Sequence, residues 1–411
     1  MMSAAASPQH LSITSPPNSP CGSTNHLRLL NCPSSIKMKN AGQSFLAPLS
    51  VGYTESFIGK LKAAPAHTCS EATEIPVTSW DNLGFDPLPT DYMYVMKCPS
   101  GSGSFSDGKL LPFGNIEFNP FSSVLNYGQG IIEGLKAHKK SDDSILLFRP
   151  EQNALRMAVG ADRLCMVAPT VEQFVEAVKV AVSANRRWIP PPDKGFLHIR
   201  PLLLGTSPQL SLTPSSEFIF LIYVTPVRNY FEGGLEPIDL VVDDKTHRAV
   251  PGGVGHVKAI GNYAGILRAQ ATAKENGFSD VLYVDSVHNR YLEEVSTANI
   301  FVVKDKKICT PEVGGTILPG ITRASAIDLA RTIGFQVEER LVSIEEMVEA
   351  DEVFCTGNAV GLLPVGSITY HGRRVCYGAG GPGEVTQRLS SDLTSIQMGL
   401  TEDTMGWTVG V

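Results

Sequence analysis

The sequence predicts a two-domain protein of mixed α+β / α/β class, and three features carry that prediction. Between residues 76 and 229, two strand-like runs, two helical patterns and two more strand-like runs follow in blocks, not in strict alternation. From residue 246 to 411 short apolar runs and helical patterns interleave, with helices stopped by Gly277 and Gly334. Ahead of both lies a stretch with no acidic residue before Glu55.

That leader is rich in Ser, Pro, Ala and Asn, carries only Arg28, Lys37 and Lys39 as charges, and lacks the apolar core of a secretory signal. This is the composition of an organellar transit peptide, with cleavage expected between about 50 and 75; residues 1–60 are read as disordered. Abundant Ser and Pro with few arginines point to a plastid first and a mitochondrion second. A disordered tail without an address is the alternative.

In the first domain, Asp91–Met96 and Ser144–Phe148 read as strands, the second closed by Pro150. Glycine-rich turns are expected at 101–108 and 112–115. Glu151–Met166 and Thr170–Asn185 carry apolar residues at helical spacing. Gly195–Pro201 and Glu217–Val224 read as buried strands. Residues 230–245 form the expected interdomain loop. Beyond it come a helix over Tyr263–Asn276, strands at Val281–Val284 and Asn299–Val303, and a helix over Thr322–Ile333. Strands at Gln336–Leu341 and Glu352–Gly357 and a closing amphipathic helix over Gly383–Gly399 complete the second domain.

Composition narrows the function classes. A net charge of −7 leaves no basic footprint for nucleic acid, and no apolar run reaches the length of a membrane span. Eight cysteines at 21, 32, 69, 98, 165, 309, 355 and 376 form no C-x-x-C pair and no zinc-ligand spacing, so no metal site is expected and the thiols read as reduced. Gly378–Gly383 matches G-x-G-x-x-G literally, yet Pro382 lies inside it and a helix with the chain end follows, so it reads as a loop.

The chemistry centres on Gly252–Tyr263, where three glycines precede Lys258 and a fourth separates it from Asn262-Tyr263. A phosphate-binding P-loop is excluded because Ala259 follows the lysine where Ser or Thr is needed. By itself the stretch reads as a glycine-rich turn with a solvated lysine. A neutral lysine amine, however, attacks aldehydes, and pyridoxal phosphate is carried on such a lysine. A site for that cofactor also needs a carboxylate at the pyridine nitrogen, a donor at the ring hydroxyl and an anion cradle. Glu293-Glu294 offers carboxylates just before a strand, although paired glutamates alone read as a solvated edge. Leu318–Arg323 is a turn opening into a helix, which suits an anion and equally suits an ordinary helix start capped by Thr322. Arg156 offers a fork of donors, or is a surface arginine.

In order, Tyr127, Glu133–Ala137, Leu147–Pro150, Arg200-Pro201, Gly255–Lys258, Glu294–Asn299 and Leu318–Arg323 resemble the branched-chain amino acid aminotransferases, most of all the plant, organelle-targeted type. The resemblance runs from about residue 76 to the C-terminus. It implies the fold type IV class of pyridoxal phosphate enzymes: two domains, an interdomain loop and a homodimer. It implies Lys258 as the Schiff-base lysine and proton shuttle, Glu294 at the pyridine nitrogen and Tyr263 at the ring hydroxyl. Arg156 and the amides of Ile321 and Thr322 are implied for the phosphate, with Thr297 and Asn358 beside the cofactor. Tyr127, His198, Arg200, Tyr230 and Ala359 are implied on the substrate side, Arg200 for the second carboxylate of glutamate.

Several positions depart from that pattern. Asn358 replaces a usual threonine, His198 a usual tyrosine, Ile132 an aromatic residue and Arg228 a glycine. Asparagine still donates to phosphate, whereas His198 changes charge and reach on the substrate side. The expected reaction is transfer of the amino group of Leu, Ile or Val to 2-oxoglutarate. A methionine-type substrate, a lyase on a chorismate-derived amine and a catalytically weak cofactor-binding paralogue are the alternatives.

Overall fold

Helix α2 (Pro150–Arg163) shows how the first half of the chain is assembled. Its Ala154, Met157 and Ala161 recur at helical spacing and are buried, so the helix lays one apolar stripe on a sheet. Gly160 lets it come close, since a Cβ there would stand 2.9 Å from Ile131 Cδ1. Helix α3 (Val171–Ala184) follows, started by a capping box in which Thr170 and Gln173 satisfy each other's backbone N–H groups.

The sheet beneath them is antiparallel, with strand order β17-β5-β4-β6-β7-β1-β2 and β3 paired to β6. Its strands are β1 (Tyr92–Cys98), β2 (Lys109–Pro112), β3 (Gly130–Ile132), β4 (Leu135–Lys139), β5 (Ile145–Phe148), β6 (Gly195–Gly205), β7 (Phe218–Arg228) and β17 (Thr408–Gly410). A short helix, α1 (Ser123–Tyr127), precedes β3.

The second sheet is mixed. It contains β8 (Ile238–Asp243), β9 (Asp280–Val284), β10 (Leu292–Val295), β11 (Asn299–Lys304), β12 (Lys307–Thr310), β13 (Gln336–Glu339), β14 (Glu352–Gly357), β15 (Gly361–Tyr370) and β16 (Arg373–Cys376). An added pairing of β10 with β11 closes β10-β9-β8-β15-β14-β11 into a ring. Around it lie α4 (Gly261–Ala264), α5 (Leu267–Glu275), α6 (Ile321–Thr332), α7 (Ile344–Val348) and α8 (Glu384–Gln397). The computed structural model describes residues 80–228, 235–378 and 381–411, all within the unit Glu74–Val411. The expected transit peptide, Tyr230 and part of the glycine loop at 378–383 lie outside the described residues.

Sheets and helices mix as expected, but the blocks are richer. Strands β2, β3 and β4 are short, charged or glycine-containing and give no strand signal in the sequence, and β15 gives none because Gly361, Pro364 and Gly366 punctuate it. The loop expected over 230–245 contains β8, and β17 at the chain end returns to the first sheet. The helix expected over Tyr263–Asn276 is broken at Gly265-Ile266. Among the described residues no helix is long and apolar enough to cross a membrane.

Candidate active site

Lys258 lies in the loop between β8 and α4, and the first sheet holds that loop. Ile132 N–H donates to the Lys258 carbonyl at 3.0 Å, and Ile260 N–H donates to the Gly130 carbonyl at 3.1 Å, so residues 258–260 run as an extra rung along β3. The neighbours Val257 and Ala259 are 1% and 5% exposed and join the core of the first sheet. Alternation then leaves the Lys258 side chain pointing away from that core. Gly255 is needed just upstream, because a Cβ there would meet Ala249 Cβ at 2.3 Å and the Thr316 carbonyl oxygen at 2.4 Å. The Lys258 ammonium donates to Tyr263 Oη at 2.8 Å.

Facing it is Glu294 at the end of the β10–β11 hairpin, opposite Asn299. Glu294 is 2% exposed; its Oε1 accepts from Leu318 N–H at 2.9 Å and lies 2.7 Å from Arg248 Nη1. Arg248 Nη1 has no aligned hydrogen-bond partner, so that contact is an ion pair without the directional part. Burial pushes the Glu294 carboxyl up to about 7, with the Arg248 charge pulling the other way. Glu293, its neighbour on the strand, faces elsewhere, and burial raises its carboxyl too.

At the far end, helix α6 begins at Gly320 with no side chain capping it. The cap expected from Thr322 is absent; Thr322 is buried in the first turn instead. Gly320 is required there, since a Cβ would fall 2.1 Å from Asn299 Oδ1. Nearby, the Thr356 hydroxyl is buried without a partner among the described residues. One cleft is lined by Gly134, Arg156, Lys258, Glu294, Thr297, Ile321, Thr322, Thr356 and Asn358.

Residues 130–368 match the family described as amino-transferase class IV. A chloroplastic branched-chain amino acid aminotransferase 2 of Humulus lupulus is 63% identical over 84% of this chain and 85% of its own length. A mitochondrial branched-chain amino acid aminotransferase 1 of the same plant is 53% identical over 85% of this chain and 89% of its own. Among solved structures, the branched-chain amino acid aminotransferase from Escherichia coli superposes with a TM-score of 0.65 at 26% identity, covering 78% of this chain and 98% of that one. The enzyme of the same name from Thermobaculum terrenum, solved in its PLP form, shares the fold with a TM-score of 0.67 at 22% identity, over 79% of this chain and 99% of that one.

The chain belongs to the class IV aminotransferases. It is a pyridoxal phosphate-dependent transaminase of fold type IV. The cleft suits that cofactor on its own chemistry. The uncapped helix start and the orphaned Thr356 hydroxyl form an anion cradle at one end. At the other, Glu294 Oε2 has only a long contact, 3.4 Å, from Asn299 Nδ2. That leaves a buried acceptor able to take a proton-bearing ring nitrogen.

Arg156 reaches the cleft already engaged. Its Nε and Nη2 donate to Glu133 Oε1 and Oε2 at 2.8 and 2.6 Å, and its Nη1 to the Pro319 carbonyl at 3.2 Å. Two of its five N–H groups remain for a phosphate. Burial alone would lower its pKa; the Glu133 charge and hydrogen bonds more than reverse this. Sequence reasoning assigns no role to Glu133 or Arg248. Glu133 sits inside the resembling motif, but Arg248 carries no local signal.

The substrate-side residues are scattered. His198 Nε2 lies 2.9 Å from Arg200 Nη2, and because arginine only donates, the imidazole proton sits on Nδ1. Burial, with Arg200, Lys136 and Lys258 nearby, holds His198 down to about 3, so it is neutral. His198 and Asn358 both flank Gly134, at 3.5 and 3.4 Å from where a Cβ would stand. Two departures from the family pattern therefore meet at one point of the cleft. Arg200 is not among the lining residues, and Ala359 lines the neighbouring cavity. Tyr127 is 39% exposed, donates to the Leu210 carbonyl and is not among the lining residues of the cleft. Arg228 stacks on Phe85 at 5.0 Å. Cys355 is fully buried, and burial pushes its thiol far up, which leaves no reactive thiolate.

Proposed function

We propose that this enzyme reversibly transfers the amino group of L-leucine, L-isoleucine or L-valine to 2-oxoglutarate. The observation that carries the reading is the Lys258 amine, 2.8 Å from Tyr263 Oη and sharing one cleft with the buried Glu294. Bound pyridoxal phosphate supplies an aldehyde for the amino group and a ring that accepts the electrons released at Cα. Lys258 would carry the cofactor, and its amine, held beside Tyr263 Oη, would take and return the Cα proton of the substrate. Glu294, kept dry and half-satisfied, holds the ring nitrogen's proton. Tyr263 steadies the ring hydroxyl. The amides of Ile321 and Thr322, the spare donors of Arg156, and the side chains of Thr297 and Asn358 hold the phosphate. By the family resemblance, His198, Arg200 and Ala359 are assigned to the substrate side.

The test mixes the purified holoenzyme with Leu, Ile, Val, Met and Glu in turn and follows conversion of the cofactor to its pyridoxamine form. Fast conversion with the branched-chain set and with Glu supports the reading. Conversion with Glu and Met alone shows that the pocket around His198 serves a thioether substrate. No conversion with any of them sinks the transaminase assignment for these substrates.

We further infer a homodimer acting in a plastid, supported by the acid-free leader and by the chloroplastic naming of the hop relative. Sedimentation of the purified enzyme and imaging of a fluorescent fusion test the two parts separately.

A further inference from the structure

Arg248 is a buried cation with two buried carboxylates to answer. It lies in the loop between β8 and α4, with its side chain 3% exposed. Glu293 and Glu294 follow one another on β10 and are 5% and 2% exposed. Leu292 pairs with Val284 and Val295 with Leu282, so a β-bulge sets both glutamates against the single residue Tyr283. That bulge crowds two acids into one interior site, where each charge needs a counter-charge. Arg248 Nη1 stands 2.7 Å from Glu294 Oε1. Glu293 Oε2 and Tyr283 Oη are buried with no hydrogen bond among the described residues.

The other cations that act on Glu294 are committed elsewhere. Arg156 of α2 is held by Glu133, and Arg323 of α6 donates to Glu339 Oε2 at 3.0 Å and to the Pro311 carbonyl at 2.8 Å. The Lys258 amine donates to Tyr263. Around Glu293 stand the Thr316 hydroxyl, Arg248, Asp285 and His247, and Arg248 is the strongest charge drawing that carboxyl down. Burial raises both carboxyls, Arg248 lowers both, and the Glu293 charge raises Glu294 further. One guanidinium therefore serves two acids, and one positive charge can match only one of them. Contact decides which, and the contact is to Glu294.

We propose that Arg248 is a positioning residue that holds Glu294, in preference to Glu293, as the ionised member of this pair, and that Glu293 competes for the same guanidinium. The inference rests on the reading of Glu294 as the partner of the ring nitrogen. An ionised Glu294 keeps the proton on that nitrogen; a neutral one holds the proton itself and leaves the ring a poorer acceptor of electrons. Arg248 does not line the cleft and acts through Glu294.

The experiment compares wild type, Arg248→Met, Arg248→Lys and Glu293→Gln, each with and without Glu294→Gln. Urea unfolding of the cofactor-free chain as a function of pH isolates Glu294 as the difference within each pair. Its folded-state value is raised, so in wild type its contribution is full below 4.5 and is lost as pH rises to about 7. Arg248→Met moves that upper limit up by about one pH unit or more, Arg248→Lys leaves it near the wild-type value, and Glu293→Gln moves it down. In the holoenzyme at about pH 8, Arg248→Met weakens cofactor binding in equilibrium dialysis by at least about tenfold, and Arg248→Lys restores most of it. Limits that do not move, or that move the same way in Arg248→Met and Glu293→Gln, overturn the proposal. Should Arg248→Met not fold, Glu293→Gln decides alone, since an unchanged or raised limit there also overturns it. If Glu294→Gln by itself holds the cofactor as tightly as wild type, the reading of Glu294 fails and this inference with it. Unmoved limits alongside cofactor binding that does depend on Glu294 sink the inference alone.

Discussion

Two buried carboxylate–arginine pairs flank the cleft, and they serve opposite ends. Glu133 is fully buried and completely answered: Arg156 meets both of its oxygens, and Asn153 Nδ2 donates to Oε2 at 2.8 Å. Glu294 is as deeply buried but only half answered, with the Leu318 amide and a poorly aligned Arg248 on one oxygen and little on the other. A satisfied buried pair costs desolvation and returns geometry, so it acts as scaffold. A half-satisfied carboxyl stores an unmet demand, and the rise of Glu294 to about 7 expresses it. Among buried charges, incompleteness marks the place where a ligand belongs.

Mutations should separate scaffold from site in that order. Lys258→Ala removes the amine itself and should cut transamination by about 10⁴-fold or more, with the melting temperature unchanged. A variant that still converts the cofactor with leucine would break the assignment. Glu133→Ala leaves the Arg156 guanidinium buried and unpaired, and should lower stability by about 3–5 kcal/mol in thermal or urea unfolding. Glu294→Gln removes the charge but keeps an oxygen to accept from Leu318 N–H and to face Arg248; turnover should fall about 10²–10³-fold, with a smaller loss of stability than for Glu133→Ala. If Glu133→Ala proved the milder for stability, the contrast between the two pairs would collapse.

A pH titration sharpens the same contrast. In cofactor-free protein the folded-state value of Glu294 lies above its ordinary 4.5, so its contribution to stability is full below that value and is lost as pH rises towards about 7. Glu294→Gln should flatten that part of the stability–pH curve. The smallest effect is expected at the departures. Asn358→Thr exchanges one phosphate-side donor for another and should change cofactor affinity by less than about tenfold, as read by equilibrium dialysis.

Much of the site was legible because its parts are local motifs. The glycines around Lys258, the Glu293-Glu294 step before β11 and the turn into α6 each announce themselves within a few residues, and they converge on one cleft. Glu133 lay in a legible motif but its partner is twenty-three residues away, and Arg248 has no motif at all. The fold was less legible than the site. Strand β15 carries Gly361, Pro364 and Gly366, and reads as loop until β14 and β8 are found on either side to pair it.

By itself the sequence determined the enzyme class and the cofactor, since motif order and residue chemistry are properties of the linear chain. Tertiary structure alone decided which carboxylate is left wanting and how Arg156 arrives, held by Glu133 and the Pro319 carbonyl. Those outcomes depend on which groups long-range pairing has already satisfied. Desolvation and partner geometry exist only after the chain has closed on itself.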